Sequence, residues 1–381
     1  MRDQTAPKGS LRYDPVLLGA VVALAAFGVV MVYSASAVFA VERLHDSLYF
    51  FKRQALGASV GLLVLLGTLK LGYRRLEALA VPLLLFALAL LVLVQIPGLG
   101  HAAGGARRWL RIGSLQFQPS ELAKIALVLW LARSLGKKAD RMQLFSVGVL
   151  PHLLVLGLCG TLLMMEKDFG STMVLAGLTF ALLFVAGARF TYLLAALPVA
   201  LGAGALLIFT SAYRIGRLKA FLNPWEDPQG TGYQAIESLL GFGAGGTFGV
   251  GLGESKQKLF FLPAAHTDFI LSIVGEELGF AGVCAVLLLF ALLVWRGLRA
   301  AFAAPEAFGA YAALGLTLLF AFEALVNAGM TLSLLPTKGM ALPFLSYGMT
   351  SVIACCMAAG ILLSISGGAG GFLKRSAGGQ R

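Results

Sequence analysis

Charged residues are scarce in this chain of 381 residues: Asp, Glu, Lys and Arg together make up 13% of it, whereas hydrophobic residues make up 59%. In soluble globular domains about a quarter of all residues are charged. The composition alone therefore predicts an integral membrane protein. The chain also lacks a soluble second domain, a fixed-period repeat and a low-complexity tract, so we interpret residues 1–381 as one polytopic membrane domain.

Cysteine is also rare. All four cysteines lie inside apolar segments, with no metal-ligand spacing and no neighbouring histidine. This pattern implies neither a disulfide framework nor a zinc site. The four are Cys159, Cys284, Cys355 and Cys356.

The net charge of +12 raises the question of nucleic-acid binding. The basic residues are not interleaved with aromatic residues along one exposed face, which a nucleic-acid interface would require. They lie in short loops between apolar runs. We therefore predict a membrane protein that binds no nucleic acid, in which Lys and Arg mark the topology.

Ten apolar segments are long enough to be transmembrane helices, which predicts an all-α polytopic fold. An even number of crossings puts both termini on one side, and the larger Lys and Arg excess predicts that this side is cytoplasmic. The predicted cytoplasmic ends are residues 1–14 and 366–381, and the predicted large extracytoplasmic loop, between helices 7 and 8, is 213–268. The helix centres lie near Leu24, Leu62, Ala87, Val128, Val155, Leu178, Ala200, Leu287, Leu316 and Ala358.

A Gly-rich tract follows in the second half of that long loop, at residues 241–253. It is not a P-loop, because no Gly-Lys-Ser/Thr ends it and no strand precedes it. Two interpretations stay open. The backbone could approach a ligand closely there, or the tract could be a flexible or re-entrant segment whose backbone groups are satisfied by protein or water.

A second connection on the outer side carries Arg107, Arg108 and Arg111 beside Trp109. Arginine presents a planar fork of donors that matches phosphate oxygens. This stretch could therefore hold a lipid-linked diphosphate at the membrane surface. The alternative is attraction to lipid headgroups or a local counter-charge to Glu121.

The most informative stretch contains His266 and Asp268, where a polar loop enters an apolar helix. Lys256 and Lys258 precede it and two glutamates, 276 and 277, follow. Ionisable groups at such a depth are usually functional. The alternative is that Asp268 complements the helix dipole, with Thr267 as the N-cap. The dipole would favour ionised Asp268, which suits a base or a metal ligand better than a general acid.

One base and several cations suit transfer from a sugar diphosphate, because that leaving group needs positive charge and not a proton. The candidate cations are Arg107, Arg108, Lys124 and Lys338, with or without Mg²⁺. Glycoside hydrolases, in contrast, use two carboxylates. Structural alternatives are an ion pair of Lys124 with Glu121, three residues apart, and a snorkelling Lys338. For Glu323 and Asn327 an interhelical polar contact is favoured over a catalytic pair.

Several motifs occur along nearly the whole chain in one order. They are Tyr33-Ser34-Ala35-Ser36, Arg108-Trp109-Leu110, Gln118-Pro119-Ser120-Glu121-Leu122-Ala123-Lys124, Asn223-Pro224-Trp225, Gly232-Tyr233-Gln234, Ser255-Lys256-Gln257-Lys258, His266-Thr267-Asp268-Phe269-Ile270, Pro336-Thr337-Lys338-Gly339 and Leu342-Pro343-Phe344-Leu345-Ser346-Tyr347-Gly348. With these motifs the chain resembles the FtsW/RodA (SEDS) family of membrane-embedded cell-wall polymerases, and more the FtsW division branch than the RodA branch.

The resemblance implies an inverting peptidoglycan glycosyltransferase that polymerises lipid II at the outer face of the bacterial cytoplasmic membrane, at the division site. It implies as partners a class B penicillin-binding transpeptidase and other divisome proteins. Asp268 would be the essential carboxylate, acting alone or through a divalent cation, Mg²⁺ or Mn²⁺. The predicted substrate-binding residues are Arg107, Arg108, Trp109, Glu121, Lys124, His266, Lys338 and Ser346.

The chain departs from the family pattern in three places. Ala264 stands where a Glu is common, so a mechanism that needs a second carboxylate there is in doubt. Glu237 stands where Gln is common, and Met349-Thr350 replace a frequent Gly-Ser. Two other function classes remain in competition: a lipid II transporter, or flippase, and a scaffold that docks the transpeptidase without doing chemistry.

Overall fold

The computed structural model describes residues 13–103, 106–113 and 115–367. Most of the two segments predicted to be cytoplasmic therefore lies outside the described residues. Each of the ten predicted helix centres lies in a separate helix, and two further helices, Ala212–Leu222 and Tyr233–Gly245, occupy the long connection. The α-helices are α1 (Pro15–Leu44), α2 (Tyr49–Leu71), α3 (Tyr73–Leu93), α4 (Pro119–Lys137), α5 (Leu150–Met165), α6 (Phe169–Val185), α7 (Phe190–Phe209), α8 (Ala212–Leu222), α9 (Tyr233–Gly245), α10 (Ile270–Ala303), α11 (Ala307–Thr331) and α12 (Met349–Ser366).

The all-α polytopic membrane fold is confirmed, because eight helices of the described chain are long and apolar enough to cross a membrane. The other two predicted crossings are α6, which has only 17 residues, and α4, which carries charges. α4 packs against α3 and α11 with most of its residues buried, so Glu121 and Lys124 are shielded from lipid. α7 is the opposite case, since almost all of it is exposed. The count of ten crossings stays a prediction.

The start of α1 and the end of α12 lie together at one end of the bundle. The side chain of Asp14 caps α1, accepting from the amides of Val16 (3.0 Å) and Leu17 (3.1 Å). Its own amide donates to Oγ of Ser366, at the end of α12 (3.0 Å). Its carboxylate also accepts from Nε of Arg296 near the end of α10 (2.6 Å). This arrangement is what an even number of crossings requires.

A small antiparallel sheet, which we did not predict, lies between α3 and α4. Its strands are β1 (Gly100–Ala103), β2 (Ala106–Ile112) and β3 (Leu115–Phe117), in the order β1-β2-β3. Side chains of a strand alternate between its two faces. Ala106 and Leu110 of β2 are buried, so Arg108 between them points inward, whereas Arg107 is exposed. The sheet thereby separates two arginines that are adjacent in sequence.

The Gly-rich tract is held by a break in α10. Gly279 has a φ of +67°, a conformation open to glycine, and the helix is interrupted there. Backbone groups of α10 that lose their helical partners at the break form hydrogen bonds with the tract. Protein groups therefore satisfy part of the backbone of the tract, as the interpretation of a re-entrant segment requires. The bonds are Val250 N to Glu276 O (3.0 Å), Gly251 N to Glu277 O (3.1 Å), Phe280 N to Gly246 O (2.9 Å) and Ala281 N to Thr247 O (3.0 Å).

Candidate active site

A cavity of about 490 Å³ lies at one end of the bundle. Four helices, α4, α6, α10 and α12, begin at its walls, and residues near the start of α2 and from β2 border it. A helix N-terminus carries partial positive charge, so these ends together favour an anionic ligand. Five predicted site residues line the cavity: Arg108, Trp109, Glu121, Lys124 and Asp268.

Asp268 lies in a tight turn just before α10. The amides of Thr267, Asp268 and Phe269 all donate to the carbonyl of Ala264 (3.1 to 3.3 Å), and the helix begins only at Ile270. Phe269 therefore holds the cap position, and the prediction that Thr267 caps the helix is wrong. The turn places the Asp268 side chain at the cavity wall and not in the helix.

Neighbouring elements hold the backbone of Asp268 and leave its carboxylate open. Nδ2 of Asn327 on α11 donates to the carbonyls of Asp268 (2.9 Å) and Met340 (2.7 Å). A Cβ at Gly339, beside Met340, would lie 3.2 Å from Oδ2 of Asp268. No described residue forms a hydrogen bond or an ion pair with this carboxylate. It is therefore available to a ligand.

The electrostatic environment suits Asp268 to proton transfer near neutral pH. Burial raises the pKa of Asp268 to about 6, the guanidinium groups of Arg217 and Arg108 oppose that rise, and the Asp168 carboxylate adds to it. We expected the helix dipole to favour the ionised form, whereas burial makes this carboxyl hold a proton more readily than an exposed aspartate does. A pKa of about 6 still leaves it mainly ionised at neutral pH. A base works best when its pKa is near the working pH.

Arg108 is anchored at the cavity by the end of α5. Its Nε donates to the carbonyl of Glu166 (2.9 Å) and its Nη2 to the carbonyl of Lys167 (2.8 Å). The carbonyls at a helix C-terminus carry partial negative charge, which attracts a cation. A Cβ at Gly339 would lie 4.0 Å from Nη1 of Arg108, so this nitrogen and the Asp268 carboxylate border the same small space.

The predicted ion pair between Glu121 and Lys124 is present, with a distance of 2.9 Å. Lys124 also donates to Glu323 of α11, so the three side chains form a buried triad. The predicted interhelical contact of Glu323 is confirmed. Asn327 bonds instead to the two loops at the cavity. Glu121 and Lys124 face the cavity from this triad.

Arg107 and Lys338 do not line the cavity. Arg107 is exposed on the outer face of β2. Nζ of Lys338 lies 4.8 Å from the ring centre of Phe169 and 2.8 Å from the sulfur of Met173, both on α6. Burial lowers the pKa of Lys338, and Asp168 opposes this. A substrate-binding role for these two residues stays a prediction.

His266 and Ser346 support the Asp268 turn from behind. The His266 ring packs against Phe50 (4.7 Å between centroids) and Tyr347 (5.8 Å), and burial lowers its pKa to about 4. Oγ of Ser346 donates to the carbonyl of Thr267 (2.5 Å). Neither residue lines the cavity. Their substrate contacts stay predictions, and the structure gives both a positioning role.

Three of the four other ions that the sequence groups around Asp268 form a separate buried network, whereas Lys256 is exposed. Lys258 pairs with Glu277 (2.9 Å), which also accepts from Oγ of Ser34 on α1 (2.7 Å to Oε1). Glu276 accepts from the hydroxyl of Ser255. These residues do not line the cavity. The network fastens the long connection to α1 and α10.

Three charged residues near the cavity were not predicted: Asp168, Arg53 and Arg217. Asp168 lines the cavity and caps α6, where Ser171 donates to it through its amide (3.0 Å) and its hydroxyl (2.7 Å). Arg53 lines it from α2. Arg217 of α8 donates to the carbonyl of Thr337 (2.7 Å). A charge within the first turns of an apolar helix was the available signal for Asp168 and Arg53.

The family model for FtsW, RodA and SpoVE, described as a cell cycle protein, matches residues 15–369. The chain belongs to the FtsW/RodA/SpoVE family. The probable peptidoglycan glycosyltransferase FtsW of Trichlorobacter lovleyi is 52% identical over 356 residues, which cover 93% of this chain and 93% of that relative. Stage V sporulation protein E of Bacillus subtilis is 40% identical over 353 residues, which cover 93% and 96%. The resemblance carried by the motifs is thus confirmed.

Solved structures of this FtsW/RodA/SpoVE family share the fold. A chain from a peptidoglycan synthase complex that coordinates polymerization and crosslinking has a TM-score of 0.76 and 33% identity, covering 94% of this chain and 98% of its own length. The rod shape determining protein RodA of Thermus thermophilus has a TM-score of 0.71 and 30% identity, with the same coverage. Both sequence identities exceed 25% over nearly the full length, so the similarity extends to the sequence as well as to the fold.

Proposed function

We propose that this chain is a peptidoglycan glycosyltransferase that polymerises lipid II into glycan strands at the outer face of the bacterial cytoplasmic membrane during cell division. One observation carries the proposal: the Asp268 carboxylate, which pairs with none of the described residues, and the cations Arg108 and Arg53 face one cavity. The helix N-termini around this cavity add partial positive charge. The names of the FtsW relatives support the same activity.

The reaction needs one base and positive charge. Asp268 accepts the proton of the 4-hydroxyl of the acceptor N-acetylglucosamine as its oxygen attacks the anomeric carbon of the donor N-acetylmuramic acid. A new C–O bond forms on one face while the bond to the diphosphate breaks on the other, so the configuration inverts. Arg108 and Arg53 stabilise the charge that develops on the departing diphosphate.

A divalent cation fits this cavity only in one arrangement. No cluster of three or more His, Cys, Asp or Glu exists in the described part of the chain, so a cage made of protein ligands does not fit. Mg²⁺ often uses one or two carboxylates together with substrate phosphates. Asp268 could supply such a carboxylate, and bound Mg²⁺ or Mn²⁺ would neutralise charge on the leaving diphosphate. The steps above do not depend on it.

The partner we propose is a single-pass class B penicillin-binding transpeptidase, together with other divisome proteins at the division site. Support comes from the related peptidoglycan synthase complex, which coordinates polymerization and crosslinking. Glycan strands made at the outer face would pass to the transpeptidase for crosslinking. We therefore propose that the cavity lies on the extracytoplasmic side, and the Lys and Arg asymmetry of the loops supports this proposal.

The test is polymerisation of labelled lipid II by the purified protein with its transpeptidase. Asp268→Asn keeps the size of the side chain and removes the base, so we expect turnover to fall by about 10²- to 10⁴-fold. Glu254→Gln is the matched control, because Glu254 is an exposed acid of the same connection that does not line the cavity.

Equal product from Asp268→Asn and wild type would remove Asp268 from the chemistry. Product from none of the proteins, combined with lipid II movement across vesicles, would support the transporter instead. Both variants must bind the transpeptidase as wild type does, so that a loss of product reports chemistry and not assembly.

A further inference from the structure

Glu166 is a buried acid that the proposed mechanism does not use. It follows α5, is fully buried, and neither Oε1 nor Oε2 has a hydrogen-bond partner among the described residues. An unpaired buried charge is strongly unfavourable, so such a carboxyl is neutral in the folded protein. Burial accordingly raises the pKa of Glu166 to about 8; Asp168 adds to the rise and Arg108 opposes it.

The backbone around Glu166 is the anchor of Arg108. Lys167 has a φ of +59°, which ends α5 and turns the chain towards α6. The Asp168 amide donates back to the carbonyl of Leu163 (2.9 Å), which closes the turn. The carbonyls of Glu166 and Lys167 are left to accept Nε (2.9 Å) and Nη2 (2.8 Å) of Arg108. This turn therefore holds the guanidinium of Arg108 against the backbone of Glu166, and the two side chains interact electrostatically.

Part of the charge of Arg108 stays available in this arrangement, although the Asp268 carboxylate interacts with it electrostatically across the cavity. Two of its nitrogens bond to neutral carbonyls, and Nη1 lies beside Gly339 at the cavity. It has no ion pair with a carboxylate of the described residues. A neutral Glu166 preserves this state, whereas an ionised Glu166 would be a competing anion within the electrostatic reach of the guanidinium.

We propose that Glu166 is a positioning residue whose protonation state controls how strongly Arg108 holds the diphosphate of the lipid substrate. With Glu166 neutral, the positive charge of Arg108 is available to the substrate. With Glu166 ionised, the carboxylate attracts the guanidinium and substrate binding weakens. This inference rests on the proposed function, since it assigns Arg108 to the diphosphate.

Other charges around Glu166 act on the same equilibrium. Asp168, at the start of α6, favours the neutral form, and Arg108, on β2, favours the ionised form. Lys338, from the connection between α11 and α12, interacts with Asp168. Lys167 is the neighbour in the chain. A replacement at Glu166 itself is therefore the cleanest way to isolate its contribution.

The test measures KM and kcat for lipid II in the full-length protein with its transpeptidase. The two pH values, about 7 and about 9, lie on either side of the pKa of Glu166. For wild type we expect KM to rise about tenfold, the effect of weakening one charge-assisted hydrogen bond. In Glu166→Gln, a neutral side chain of the same shape, KM should be the same at both pH values. Glu166→Asp, which keeps a titratable carboxyl, should retain the rise.

A stability measurement shows whether Glu166 titrates in the folded protein. A carboxyl with a raised folded-state pKa holds its proton more tightly folded than unfolded, so stability falls as pH rises from its unfolded value towards about 8. The melting temperature of wild type should follow this trend in that range, and Glu166→Gln should lack this component. A purely structural role would change the melting temperature without the effect on KM.

A wild-type KM that does not change with pH, or an equal rise in Glu166→Gln, would overturn the inference while the polymerase proposal stands. If wild type makes no polymer at either pH, the proposed function fails. Binding of fluorescent lipid II to Asp268→Asn, with and without Glu166→Gln, then still decides the inference. A dissociation constant that rises with pH only when Glu166 is present supports it, and any other result overturns it.

Discussion

The buried triad beside the cavity provides a quantitative test of the packing. Nζ of Lys124 lies 2.9 Å from Oε1 of Glu121 and also bonds to Glu323, and each side chain is at most 10% exposed. Lys124→Met removes the cation and leaves two carboxyl groups facing each other among apolar helices. Breaking a buried ion pair by removing one partner costs about 3–5 kcal/mol. We expect Lys124→Met to lose that much stability.

A compensating variant separates charge from shape. In Lys124→Met/Glu121→Gln/Glu323→Gln no charge remains at the triad, so this variant avoids the cost of an unpaired buried charge. We expect this variant to regain most of the lost stability. The assay is unfolding in detergent followed by tryptophan fluorescence, with the single Glu323→Gln variant as the control that keeps the Glu121 pair.

Polymerisation activity of the same variants tests the predicted substrate role of Lys124. If Lys124 also contacts substrate phosphates in the cavity, the stable triple variant will remain inactive. If the residue only balances two acids, activity will return with stability. A Lys124→Met protein whose stability lies within about 1 kcal/mol of wild type would refute the reasoning, because two unpaired acids cannot be buried at so small a cost.

Three further predictions concern Asp268 and its supports. Because the ionised form is the base, and burial raises the pKa of Asp268 to about 6, turnover should fall as pH drops through about 6; a pH-independent rate would contradict this. In Gly339→Ala the added Cβ would lie 3.2 Å from Oδ2 of Asp268 and displace that carboxylate, so kcat should fall about tenfold with a small change in melting temperature. A variant with the kcat of wild type would show that the Cβ does not displace Asp268. Asn327→Ala removes two hydrogen bonds at the cavity, so the free energy of unfolding should fall by about 1–3 kcal/mol and kcat should fall with it. If neither quantity falls, other contacts hold the turn.

Much of the fold could be predicted because local sequence determines it. A run of apolar residues must be helical in a membrane, where every backbone group needs an internal partner. All ten predicted centres therefore lie in helices. The small sheet was missed because its strands have three to seven residues and form only by pairing with one another. Nothing in so short a segment separates a strand from a loop.

Part of the candidate site could be predicted because a charge next to an apolar segment is visible in the local sequence. Asp268 and Arg108 stand out as lone charges next to apolar segments, and both line the cavity. His266 carries the same signal, but its ring packs against Phe39 and Phe50, which come from α1 and α2. The predicted grouping of Lys258 with Asp268 also follows chain proximity, whereas the folded protein pairs Lys258 with Glu277 elsewhere.

The amino-acid sequence by itself determined the membrane class, the positions of the ten apolar helices and the family, and it singled out Asp268 as a candidate, because composition, apolar length and contiguous motifs are local properties. Only the tertiary structure decided which charges meet. Lys124 bonds to Glu323 on another helix, Arg108 bonds to the turn after α5, and the buried Glu166 carboxyl has no hydrogen-bond partner among the described residues. These outcomes depend on how helices distant in sequence pack, and on the strong preference of buried charges for a partner that packing must supply.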